Sequence, residues 1–272
     1  MRIILGVAAI VAIIFLLFQP YYFGQGFLII MACFTLLWLL SLNLKDASIV
    51  DIFWGTGFVI MAWFYRFSFE LTDIRSLIFC ILVSIWGLRL SIHLAFRNIG
   101  KGEDYRYQAW RKDNGKNWWW ISYFRVFLLQ GVLLWLISSV FAPAVSSVYS
   151  SLGIFDYLGI IFWVIGFMFE AIGDWQLTQF KKNPANKGKV LQTGLWSLTR
   201  HPNYFGDSMQ WWGYFLFACT TGNYLYIFSP IIMTFLLMEV SGVALLEETL
   251  SKTKPEYADY IKRVPAFFPK LF

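Results

Sequence analysis

The chain has 272 residues, 58% of them apolar, 21% aromatic and only 14% charged. An average soluble domain is about 45–50% apolar even with glycine counted, and about 25% charged. A water-soluble fold of this makeup would expose apolar patches larger than soluble monomers tolerate, so an ordinary soluble domain is excluded and an integral membrane protein is implied. Lys and Arg exceed Asp and Glu by 22 to 16, and the meaning of that surplus depends on where it sits.

Apolar runs long enough to cross about 30 Å of hydrocarbon fall at residues 3–19, 27–42, 49–65, 76–96, 121–142, 154–175, 206–220 and 224–246. They predict an all-α fold: one integral membrane domain over 1–272, a bundle of seven to eight transmembrane helices. The first run has no small-residue cleavage site before Gln19-Pro20, so it reads as a span rather than a signal peptide. Threaded from a cytoplasmic N-terminus, 19 of the 22 Lys and Arg lie on one side, Arg66 and Arg75 lie on the other, and Arg89 lies inside a span. The positive-inside rule then places both termini in the cytoplasm. Trp118-Trp119-Trp120 reads as an interfacial belt, and the basic loops as topology determinants or contacts with anionic lipid. Cys33, Cys80 and Cys219 sit in apolar stretches with neither disulfide nor metal-site spacing. No period of 20–50 residues repeats.

Ionisable groups inside spans are costly, so each is a functional-site hypothesis. Asp51, Trp54 and Gly55 share a helix face at i, i+3 and i+4. Trp86, Arg89, His93 and Arg97 run down one face of the fourth span. Glu170 and Asp174 lie beside Gly166 and Gly173, where helices can approach closely. Asp207, Gln210 and Tyr214 follow in the seventh run, and Glu239, Glu247 and Glu248 in the eighth and beyond. This set predicts one polar cavity open to the cytoplasm.

The segment Arg200-His201-Pro202-Asn203-Tyr204-Phe205-Gly206-Asp207 leads into the seventh span. Proline suits the first helical position, which makes His201 the N-cap. The unbonded N–H groups at such an N-terminus attract anions. Arg200 is expected to add a fixed positive charge there, and Asn203 both a donor and an acceptor.

This segment, followed by Trp211-Trp212-Gly213, resembles the C-terminal signature of the steroid 5α-reductase family, particularly its bacterial members. That superfamily also contains sterol C=C reductases and isoprenylcysteine carboxyl methyltransferases. The resemblance extends over roughly 45–270, through Asp51-Ile-Phe-Trp54, Trp86-Gly-Leu-Arg89, Glu103-Asp104-Tyr105-Arg106-Tyr107 and Asp174 with Lys181; residues 1–44 are less specific. It implies a membrane reductase that takes NADPH from the cytoplasmic side and transfers hydride to the activated C=C bond of a steroid-like or other lipid enone. By position, Asp174, Asn203 and Asp207 would hold polar parts of the cofactor, Arg97 and Lys181 would lie near its phosphates, and Arg89, Arg106, Arg200, His201, Tyr204 and Glu247 would complete the set. Asp51 would match the acidic residue that contacts the substrate ketone. The family pairs that acid with a tyrosine on the next helix, where this chain has Trp86. Asp207 stands where the signature usually has Glu.

Hydride addition to an enone places negative charge on the carbonyl oxygen, which needs a donor aimed at it. A desolvated carboxyl can stay protonated and serve; the expected donor is Asp51, with Trp86 or Trp54 as helper. No Gly-x-Gly-x-x-Gly turn follows a strand, so helices and loops would have to bind the cofactor. The expected partners are membrane lipids and a lipophilic enone, with no nucleic acid and no metal, in a bacterial inner membrane. The chief alternative is methyl transfer from S-adenosylmethionine to a lipid or prenylcysteine carboxylate, since Glu247-Glu248 followed by Tyr257 and Tyr260 also resembles the tail of those enzymes. A third is a non-catalytic scaffold or lipid-binding protein, which leaves the polar set unexplained.

Overall fold

The computed structural model describes residues 14, 21–146, 151–240 and 243–270, and every regular element among them is helical. In chain order these are α1 (Tyr21–Leu44), α2 (Ile49–Ser68), α3 (Ile74–Asn98), α4 (Tyr105–Asn114), α5 (118–138) and α6 (Phe141–Val145), then α7 (Ile154–Lys182), α8 (Pro202–Thr220), α9 (Tyr224–Val240), α10 (Val243–Thr253) and α11 (Tyr257–Arg263). They group into two compact units, Met1–Ser151 and Leu152–Phe272.

Four helical stretches are long and apolar enough to cross a membrane: α1, α3, the run Tyr105–Val145 and α7. They contain the expected spans 27–42, 76–96, 121–142 and 154–175. The expected spans 49–65 and 206–220 are the helices α2 and α8, which fall outside that set, and α9 is apolar but shorter. The expected span 3–19 lies outside the described residues.

The run Tyr105–Val145 is not one straight rod. Residues 107 and 130 on a continuous helix would stand about 35 Å apart at 1.5 Å per residue, yet Gln130 Nε2 lies 3.2 Å from Tyr107 Oη. The reversal occurs at Gly115, whose φ of 50° and ψ of −126° cap α4 in a conformation open to glycine but strained for other residues. The polar helix α4 thus folds back along α5, and Arg125 comes to lie 4.5 Å over the Trp110 ring. The sequence alone predicts only a basic loop in this stretch.

In the first unit α2 and α3 touch backbone to backbone. A Cβ on Gly55 would sit 2.1 Å from the Gly87 carbonyl oxygen, and one on Gly87 would sit 2.5 Å from that of Gly55. Just below, the Thr56 hydroxyl donates to Ser91 Oγ at 3.0 Å. Indole N–H groups tie α1 to α5, Trp135 to the Phe23 carbonyl and Trp38 to that of Trp119. Arg75 is fully buried and donates to the Ala144 carbonyl at 2.8 Å, satisfying the last turn of α6.

In the second unit Gly159, Gly166 and Gly173 recur every seven residues along α7. Gly159 meets Gly213 and Gly166 meets Gly206, while Gly173 meets Pro202 and the Asn203 N–H. A strict seven-residue repeat keeps one seam of a helix against its partner, and small residues in that seam let two backbones touch. A Cβ at Gly166 would stand 2.5 Å from the Gly206 carbonyl oxygen, so Gly166→Leu is expected to destabilise the pair by about 2–3 kcal/mol. Thermal unfolding in detergent checks this. Gly24→Ala is the control, because nothing lies within 4 Å of a Cβ there and its melting temperature should hold or rise.

Candidate functional site

Each unit builds its own polar cluster. In the first unit, Asp51 occupies the first turn of α2, where the helix dipole favours a carboxylate. Its two oxygens have different donors. Tyr107 donates its hydroxyl to Oδ1 at 2.8 Å, and Arg106 Nη2 meets Oδ2 at 3.0 Å. Arg106 also donates from Nε to Asp104 at 2.9 Å. Behind Tyr107 stands Gln130, whose Nε2 donates to the phenolic oxygen and whose Oε1 accepts the Trp54 indole N–H at 2.6 Å.

The loop ahead of α4 is fixed by Glu103. Its carboxylate takes a two-pronged bond from Arg111, Nε to Oε2 and Nη2 to Oε1, both at 2.8 Å, and its Oε1 also accepts from the Ala47 N–H. Asp104 caps α4 by accepting from the Arg106 N–H. Burial works to raise the Asp104 carboxyl, but hydrogen bonds from Arg106 and the charges of Arg106 and Arg97 outweigh it and hold it below the ordinary carboxylate range.

The second unit places its cluster at the start of α8. His201 is the N-cap residue and Pro202 the first helical position, as the sequence predicts. Asn203 donates from Nδ2 to Asp174 Oδ1 at 3.0 Å, and its Oδ1 is buried with no hydrogen-bond partner among the described residues. Arg200, expected to add a fixed positive charge, is buried and paired. It is only 8% exposed. Its Nε and Nη2 hold Glu247 Oε1 at 2.8 and 2.7 Å, and its Nη1 donates to the Val264 and Ile261 carbonyls. His201 Nε2 lies 3.2 Å from the same Glu247 oxygen, and its ring stacks on Tyr204. Main-chain bonds continue the clamp: the Arg200 N–H donates to Pro265, and the Lys270 N–H to Leu198. Tyr260 donates its hydroxyl to the Trp196 carbonyl, while the Trp196 indole donates to that of Gly173. The tail therefore holds the segment 194–203 against α7.

Residues 37–264, most of the chain, match the family described as "Protein of unknown function (DUF1295)". The chain belongs to that family. DUF1295 lies in the superfamily of steroid 5α-reductase-like enzymes and methyltransferases. An uncharacterized protein of Schizosaccharomyces pombe is 25% identical over 279 residues, covering 92% of this chain and 80% of the relative. A shorter stretch of 46 residues is 48% identical to the probable O-methyltransferase ustE of Ustilaginoidea virens, covering 17% of this chain and 16% of that one. No solved structure matches.

Of the residues the sequence singles out in this DUF1295 chain, the structure joins Asp51 to Arg106, Asp174 to Asn203, and Arg200 to His201 and Glu247. Trp54 is three hydrogen bonds from Asp51, through Gln130 and Tyr107. Trp86 is buried and packs against Phe58, with ring centres 5.7 Å apart. The tyrosine that donates to Asp51 is thus Tyr107, from α4 rather than from the next helix, where Trp86 stands. Arg89 is half-buried on α3, Arg97 is exposed on its last turn and donates to Asn98, Lys181 is exposed at the end of α7, and Asp207 is half-buried on α8. Sequence reasoning missed Gln130, although a lone amide in the apolar stretch 128–137 was a visible signal.

Burial works to raise Glu247, but the bonds and charges of His201 and Arg200 dominate and bring it from 4.5 to about 2. Tyr257 beside it is pushed up to about 12, by burial first and by the Glu247 charge second. A carboxyl lowered on folding stabilises the native state above its unfolded value, and that stabilisation fades as pH falls through the folded one. The melting temperature of the DUF1295 chain should therefore exceed that of Glu247→Gln near neutral pH. The gap should close between pH 4.5 and about 2. A gap independent of pH over that range contradicts the assignment.

Proposed function

We propose that this protein is an NADPH-dependent membrane reductase that adds hydride to the activated C=C bond of a steroid-like or other lipid enone. In this reading it is a multi-pass protein of a bacterial inner membrane, with seven to eight spans and with both termini and the cofactor site on the cytoplasmic side. The observation that carries the reading is the donor set around Asp51. Reduction of an enone needs an O–H or N–H donor for the oxygen that gains charge, and Tyr107 and Arg106 are such donors, held together by one carboxylate. Methyl transfer to a carboxylate requires no such donor.

The bound dihydronicotinamide would supply the hydride. Asn203 fits its carboxamide, because Oδ1 is a buried acceptor lacking a partner and Nδ2 is already fixed by Asp174. Within the second unit, His201, Tyr204, Asp207 and Lys181 are assigned to the cofactor. Arg200 and Glu247 neutralise one another, so in this reading they shape the site rather than contact a phosphate. In this reading the Tyr107 proton, held by Asp51 in the free protein, turns to the substrate oxygen once substrate is bound, Arg106 compensates the resulting charge, and Asp51 orients both.

One specific observation favours a second reading, methyl transfer from S-adenosylmethionine: the local match to a probable O-methyltransferase. Titration of the purified protein with each compound separates the two. NADPH is expected to bind saturably, and saturable binding of S-adenosylmethionine alone would overturn the reductase reading. Tyr107→Phe and Asp51→Leu are expected to lower enone reduction by about 100-fold or more, with NADPH affinity little changed. Loss of NADPH binding in either variant contradicts the roles of Tyr107 and Asp51 on the substrate side.

A further inference from the structure

An amide group partly withdrawn from water is costly unless both its ends are bonded, and Gln130 is half-buried. Gln130 meets that requirement in a way that fixes a direction. An indole N–H can only donate, so the Gln130 oxygen must face Trp54, at 2.6 Å. The amide nitrogen must then face Tyr107, at 3.2 Å. Nitrogen can only donate there, so the phenolic oxygen accepts, and its single proton is left for Asp51 Oδ1 at 2.8 Å. The bonds run one way, from Trp54 through Gln130 and Tyr107 to Asp51, which Arg106 meets from its other oxygen.

The backbone around Gln130 is irregular as well. A π-helical turn, Tyr123–Leu128, lies just upstream in α5. Such a turn holds one residue more than an α-helical one and rotates everything after it by about 100° around the axis. The phase of Gln130 on α5 is therefore set by that turn.

We infer that Gln130 is a positioning residue, which, held by Trp54, fixes the Tyr107 hydroxyl proton on Asp51. The geometric claim stands alone, while its effect on turnover rests on the reductase reading. Gln130→Glu keeps the shape and the bond from Trp54 but offers Tyr107 an acceptor in place of a donor. Gln130→Met keeps the volume and removes both bonds.

The test uses the full-length protein in lipid nanodiscs and the tyrosine C–O stretching band, which reports whether a phenol donates, accepts or does both. Isotope-edited infrared spectra with Tyr107→Phe subtracted isolate the Tyr107 band. The wild type is expected to show a phenol that both donates and accepts, Gln130→Met one that only donates, and Gln130→Glu a different band again. Trp54→Phe should broaden the band by freeing the amide to turn. Wild-type band positions in both Gln130 variants would overturn the inference. In the enone assay Gln130→Glu is expected to lower kcat by about tenfold or more with KM little changed. A rise in KM at constant kcat would also overturn it. If the wild type reduces no enone, the reductase reading fails, yet the infrared bands still decide the positioning role.

Discussion

Contact between glycine backbones is the constraint on which the polar sites depend. Gly55 against Gly87 in the first unit, and Gly159 and Gly166 against Gly213 and Gly206 in the second, leave no room for a Cβ. Helices that close bring short polar side chains within bonding range. Ser91 reaches Thr56 next to Gly55, and Gln210 donates to Glu170 at 2.6 Å one turn from Gly166 and Gly206. Asp174 and Asn203 meet where Gly173 abuts Pro202. With larger residues in the seams, these pairs would separate and their buried polar atoms would lose partners, at about 1–3 kcal/mol for each group left unsatisfied.

The charged residues follow a second rule: the best-buried among them are engaged by other groups of the protein. Glu103 is closed by Arg111, Glu247 by Arg200 and His201, and Asp51 by Arg106 and Tyr107. Tyr107 is held by Asp51 of one such pair, and Asn203 by Asp174. The superfamily of DUF1295 holds both steroid 5α-reductase-like enzymes and methyltransferases, and the short match is to a probable O-methyltransferase.

Much of the helical scaffold was legible in the sequence, because apolar length and glycine spacing are one-dimensional signals. The runs 27–42, 76–96, 121–142 and 154–175 are inside helices that could span a bilayer, and Gly166 and Gly173 stood out as a contact face. His201-Pro202 marked the start of α8 to the residue. What stayed hidden depends on folding back. Residues 105–114 are polar and read as a loop, but they form a helix, and the backbone angles of Gly115 fold that helix back so that it carries Tyr107 to Asp51. Trp86 reads as the partner of Asp51 when adjacent helices are compared, whereas the partner comes from a hairpin. The clamp on 194–203 left little trace either, since several of its bonds end on backbone carbonyls that every residue carries.

That last feature divides the chain by its tolerance to change. Apart from the buried Val264 and Phe267, a strap held by main-chain atoms specifies a path rather than a set of side chains, so the other positions of 264–270 can drift in sequence while still holding Leu198 and Arg200. The glycine seams have no such freedom, because their contact consists of a missing atom. Random substitution should therefore spare the strap and strike the seams, although in the second unit both support the same polar cluster. Mutational robustness in this protein is a matter of which part of the peptide makes the contact.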